Sequence, residues 1–109
     1  MVSFASTPKP PYYAVIFSSL RSSGDNGYTQ IAEHVLKLAI LQLGFLGAES
    51  TRGADGFGIT ISYWATLEAI DAWKAHTVHA AAQQQANVWY EHYELRVAKV
   101  ERAYGKEKL

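Results

Sequence analysis

Apolar and polar positions change period from block to block along this chain, and each period predicts one kind of element. "YYAVIFSSL" (12–20) is rich in aromatic and β-branched residues, which suit a pleated and half-buried surface, and predicts a strand. "RSSGDNG" follows as a turn or short loop, in which Asp25 or Asn26 can cap a helix by accepting the orphan N–H groups of its first turn. From Tyr28, apolar residues recur at Ile31, Ala32, Val35, Leu38, Ala39 and Leu43, intervals of three and four that lay one stripe down a helix. Gly44 is a natural left-handed stop. "FLGAEST" (45–51) predicts a short strand, "RGADG" a hairpin-type turn, and "FGITISYW" (57–64) its antiparallel partner. Thr66 can cap a second helix on which Leu67, Ile70 and Trp73 repeat, and "VHAAAQQQA" (78–86) continues in helical character. "WYEHYELRVAKVERAYG" (89–105) predicts a terminal strand, longer than a compact domain of this size needs and so expected to pair beyond its own sheet.

The resulting order, β-α-β-β-α-β, predicts an α+β, ferredoxin-like fold: a four-stranded antiparallel sheet with helices on one face. Residues 1–11 hold all three prolines and are expected to form a flexible leader; 12–105 form the domain and 106–109 a tail. "YYAVIF" and "GITISYW" carry apolar residues on both faces, so the sheet's second face is expected to be buried by another subunit. Trp89 and Tyr90 are expected at that interface, where aromatics supply large buried areas.

Composition narrows the partners. Apolar residues are 49% and charged residues 18% of 109, as in a folded globular domain. The formal net charge is zero with no basic block, which argues against nucleic acid or an anionic membrane as the main partner. Without cysteine, disulfides, thiolate catalysis and Cys-ligated metals are excluded. "MVSFASTPKPP" lacks a basic region followed by an apolar run, and no apolar segment is long enough to cross a bilayer, so a cytoplasmic protein is expected.

"YYAVIFSS", "GFLGAES", "GITISYWATLEAIDAWKAH" and "WYEHYELRVAKVERAYG" together cover most of 12–105. In these segments the chain resembles the antibiotic-biosynthesis-monooxygenase-like (ABM) domains of the dimeric α+β barrel superfamily. The resemblance implies a homodimer whose sheets meet face to face, with the C-terminal strand taking part, and a cavity in each subunit between sheet and helices. It implies an oxidoreductase without a bound cofactor or metal, acting on a small electron-rich aromatic or quinol-type ligand. Two alternatives share the fold: a non-catalytic dimer that binds a small apolar ligand, and a haem-degrading protein. The haem-degrading branch places an Asn on the first strand and a His ten residues after the helix Trp. Trp64 and Trp73 match its two Trp with the same nine-residue spacing, but Gln83 stands at the His position and Phe17, Ser18 and Ser19 where the Asn belongs.

His76 and His79, three apart, fall on neighbouring positions of one helix face, and an imidazole titrates near working pH, so either is a candidate general base. Trp73 joins them as a catalytic candidate. Tyr13, Phe17, Tyr63, Trp64 and Gln83 are the candidate substrate-binding residues. The competing reading makes Trp64 and Trp73 core packing. Which tyrosines face the ligand depends on strand register, which one sequence leaves open.

Overall fold

The computed structural model describes residues 4–76 and 85–106. Its strands are β1 (Tyr12–Arg21), β2 (Phe45–Arg52), β3 (Phe57–Trp64) and β4 (Tyr90–Val100); its helices are α1 (Tyr28–Ile40), α2 (Leu67–Lys74) and the single turn α3 (Ala86–Trp89). The strands lie in the order β2-β3-β1-β4 and every neighbouring pair is antiparallel, the ferredoxin-like arrangement expected from the element order. No helix among the described residues is long and apolar enough to cross a membrane.

Register decides which side chains face the helices. Tyr13 lies opposite Trp64 and Lys99, Val15 opposite Ser62 and Val97, Phe17 opposite Thr60 and Leu95, and Ser19 opposite Gly58 and Tyr93. Residues directly opposite share a face. Tyr13 and Val15, like Val35 and Leu38 of α1, pack against the buried cluster of Ala39, Trp64, Ile70 and Trp73, so the odd-numbered positions of β1 face the helices. The other face carries Ala14 opposite Tyr63, Ile16 opposite Ile61, and Leu20 opposite Phe57. Residues 4–11 are tied to that second face: the Ala5 N–H donates to Glu49 Oε2 at 3.0 Å, and the Thr7 hydroxyl meets the Tyr12 phenol at 3.0 Å, leaving Tyr12 buried.

The N-cap of α2 is the expected Thr66, whereas that of α1 is Gly27, which makes no side-chain cap bond, in place of Asp25 or Asn26. Thr66 accepts from the Ala69 N–H at 3.0 Å and starts α2. Asp25 Oδ1 accepts from the Thr29 hydroxyl at 2.5 Å and from its N–H at 3.3 Å, which holds the Asp25 carboxyl below its ordinary pKa.

Three further expectations are corrected. The α1 stripe stops before Leu43, which is exposed, because the last turn tightens: Leu41 N–H bonds to Leu38 O at 3.1 Å and Gln42 N–H to Ala39 O at 3.0 Å, rotating the chain off the helical phase. The last strand ends at Val100, well short of 105. Its only neighbour in the sheet among the described residues, β1, begins at Tyr12 opposite Val100, and Pro10 and Pro11 before it have no N–H to extend the ladder. Trp89 is buried within its own chain, 4% exposed, its ring 5.7 Å from Tyr28 and its Nε1–H donating to Asn26 O at 3.1 Å, so the place expected for it between subunits is ruled out.

Candidate functional site

One row of side chains crosses the helix-facing surface at the start of β1: Tyr13, Trp64 and Phe45, paired in register across three strands. Trp64 is 1% exposed and its Nε1–H donates to Ser62 Oγ at 2.9 Å. Phe45 meets it edge-on at 5.3 Å between centroids. α2 lays Trp73 over it, nearly parallel at 26° with centroids 6.4 Å apart, within the range of offset stacking. One turn further on, the half-buried His76 ring sits 5.2 Å from Trp73. His76 lies two residues beyond the end of α2 and not on the helix face expected for it; its N–H donates to Trp73 O at 3.0 Å, which keeps it beside that ring.

Four of the candidate residues, Tyr13, Trp64, Trp73 and His76, therefore share one corner of the fold. Phe17 faces the same side but nearer the other end of β1, edge-on to Tyr90 at 5.2 Å and tilted against Tyr93 at 5.6 Å. Tyr63 lies on the opposite face of the sheet from the other four. His79 and Gln83 lie outside the described residues. Among the described residues no group of three His, Asp or Glu converges to hold a metal ion.

Around Phe17 stand residues that sequence reasoning missed: Arg21, Tyr28, Arg52, Tyr90 and Tyr93. They come from four elements, so no local spacing marks them. A bulge between Leu20 and Arg21 lets Tyr90, three residues before Tyr93, join it on the helix-facing side, their rings 6.1 Å apart. Burial, reinforced by a hydrogen bond with Tyr28, raises the Tyr90 phenol above its ordinary pKa, while Arg52 and Arg21 pull weakly the other way.

On the second face, Tyr63 donates to Glu49 Oε1 at 2.7 Å, and Tyr12 meets the Tyr63 ring edge-on at 5.8 Å. Partial burial and the Glu49 carboxylate push the Tyr63 phenol up to about 12 from 10.0. The raised folded-state value means the phenol stabilises the fold while neutral. That contribution is complete below pH 10.0 and is lost as pH rises through about 12. Glu49→Gln is expected to lower the Tyr63 midpoint while leaving it above 10.0, because burial is the larger cause; absorbance at the tyrosinate band against pH reads it. A midpoint unchanged by the substitution would remove Glu49 from this account.

A shallow depression of about 450 Å³ lies on the outer side of α1, lined by Gln30, Ile31, Glu33, His34 and Lys37. All five are exposed residues of one helix and none meets the aromatic corner, so this concavity is surface relief.

No family model matches the chain. YqjZ of Bacillus subtilis (strain 168), an uncharacterised protein, is 57% identical over 104 residues, spanning 94% of this chain and 91% of its own length. SnoaB of Streptomyces nogalater, a cofactor-independent oxygenase, superposes with a TM-score of 0.75 at 10% identity, over 89% of this chain and 100% of that one. A candidate antibiotic biosynthesis monooxygenase of Nitrosomonas europaea superposes with a TM-score of 0.69 at 10% identity, over 94% and 99%. These likenesses establish an ABM-like fold.

Proposed function

The chain belongs to the family of Bacillus subtilis YqjZ and carries the ABM-like fold, and on that premise we propose that it is a cofactor-independent monooxygenase acting on a small electron-rich aromatic or quinol-type substrate. The observation that carries the reading is the half-buried His76 imidazole set against Trp73 at the edge of an aromatic wall. In the proposed mechanism His76 or His79 takes a proton from the substrate. The substrate anion passes one electron to dioxygen, and the radical pair recombines to a C–O bond as a peroxide. The imidazolium returns its proton to that peroxide, and O–O cleavage with loss of water and of the remaining C–H proton leaves a carbonyl, within a site that excludes bulk water. Trp73, Trp64 and Tyr13 position the ring. The SnoaB likeness supports the reaction class at the level of fold only.

The unit we propose is a homodimer through the second sheet face, where Ile16, Ile59 and Ile61 are only half-buried and Phe57 is 49% exposed. A non-catalytic ligand-binding dimer is the second reading. It is favoured by the closure of the Trp64–Trp73 pair, 1% and 9% exposed, which keeps both indole rings from direct contact with a substrate.

Purified metal-free protein, a dimer by light scattering, is expected to consume dioxygen with a panel of anthrones and quinols. His76→Ala or His79→Ala should lower the rate by about 10²-fold or more, the usual weight of a positioned general base. No uptake, with panel compounds still raising the melting temperature, decides for the binding reading. Uptake unchanged in both variants removes the base assignment.

A further inference from the structure

Residues 4–11 cross the second face of the sheet as a strap. Tyr12 begins β1, the Thr7 hydroxyl meets its phenol, and Ala5 reaches β2, where its N–H donates to Glu49 Oε2 at 3.0 Å. The other oxygen of that carboxylate accepts from the Tyr63 hydroxyl at 2.7 Å, so Glu49 couples the strap to β3 as well. The seat is close, since a Cβ on Gly47 would stand 3.0 Å from the Ala5 Cβ and 3.7 Å from its Cα. Burial alternates along the strap: Ala5 and Thr7 are half-buried, Ser6 is exposed, and Phe4 is 85% exposed. This is the alternation of an extended segment, whose successive side chains point to opposite sides. The strap thus turns Ala5 and Thr7 to its own sheet and holds the Phe4 ring off it.

The strap covers one end of the face only, the end where Gly47 pairs with Tyr63. From Tyr63 back to Phe57 the strand runs about 20 Å. At that far end the Phe57 ring is 49% exposed, opposite the half-buried Leu20. Facing sheets pack about 10 Å apart, room for interdigitated side chains and not for two further layers of backbone. Two straps therefore cannot lie over one another between two such faces. A two-fold axis running along the strands would bring the strapped ends together. An axis across the strands instead sets each strap, alone, against the partner's open end. The face then carries both halves of one contact, an outward Phe4 and an open Phe57, which is the self-complementarity an isologous interface requires.

We infer that the strap is part of a homodimer interface, with Phe4 of each chain packed on the exposed Phe57 ring of the partner subunit. The inference rests on the homodimer proposed above, and goes beyond it by naming the segment that sets which way round the two sheets meet.

The test is cross-linking of the full chain, which has no cysteine of its own, so introduced thiols pair only with each other. Under mild oxidation the double variant Phe4→Cys with Phe57→Cys is expected to give a covalent dimer, and neither single variant to do so. A covalent dimer from either single variant brings like ends together and overturns the inference. So does a double variant that stays unlinked or closes within one chain. Phe4→Ala is expected to raise the dimer dissociation constant about tenfold or more, because the symmetry loses the buried ring twice. An unchanged constant also overturns the inference. Light scattering of the parent protein keeps the two proposals apart. A monomer removes the homodimer and the contact with it, whereas a dimer with the wrong cross-links removes the strap contact alone. Neither readout uses dioxygen, so the oxygenase reading stands or falls separately.

Discussion

Gly44→Ala is expected to lower the melting temperature by at least about 10 °C, although it adds one methyl group to a turn. Two costs fall together at this position. The backbone sits at φ +87°, a left-handed conformation that costs an L-residue roughly 1–2 kcal/mol. The new Cβ would also lie 2.6 Å from the Ala69 Cβ of α2, an overlap that something must relieve, and overpacking of this kind costs roughly 1–3 kcal/mol. Since ~1 kcal/mol moves the melting point of a domain this small by about 4–8 °C, the sum is large. Gly27→Ala is the control: φ is +82° but a Cβ there meets nothing within 4 Å, so only the conformational cost applies. The difference between the two variants therefore measures how closely α2 is seated on the turn that begins β2, a seat also marked by Ala65 N–H donating to Gly44 O at 2.8 Å. Equal melting points for the pair would mean that Ala69 yields freely, and the close seating of α2 would have to be given up.

Gly44 also illustrates what was legible beforehand. The left-handed stop at Gly44, the Thr66 cap, the hairpin of β2 and β3 and the stripe through Val35, Leu38 and Ala39 are all local, encoded within a few residues of where they act. The Trp64–Trp73–His76 corner was partly legible for the same reason, since Trp73 and His76 are three positions apart and Trp64 ends the preceding strand. The face on which Tyr63 lies was not legible. One residue separates it from Trp64, and alternation along β3 sends the two side chains to opposite sides of the sheet. Nothing in "ISYW" says which side has the helices; the pairing of Tyr13 with Trp64 does. Arg21 and Arg52 are harder still. They are thirty-one positions apart and become neighbours only because both strands end at the same edge of the domain, with a bulge turning Tyr90 toward them. Charge pattern along the chain carries no trace of that meeting.

Trp64→Ala is expected to cost roughly 3–5 kcal/mol, the range for emptying a large aromatic from a closed core, and to leave a domain of this size close to unfolding at room temperature. The side chain is 1% exposed, and three rings depend on it: Phe45 edge-on, Trp73 stacked, and Tyr13 opposite it in the ladder. Its removal also strips Ser62 Oγ of the indole N–H. Trp64→Phe separates these contributions, because it keeps an aromatic in the stack and loses the hydrogen bond, worth about 1 kcal/mol, together with part of the volume. Denaturant melts of the two variants should therefore differ by about 2 kcal/mol or more. The consequence for the candidate site is specific. Trp73 is positioned from below by Trp64 and in turn abuts His76, so the His76 imidazole resonances should shift in Trp64→Phe and stay in place in Gly27→Ala, which lies far from that corner. A His76 signal indifferent to Trp64→Phe would mean that the turn following α2 holds the histidine without the aromatic wall. The proposed base would then have no preorganised surface against which to orient a substrate ring, and the oxygenase reading would lose the observation that carries it.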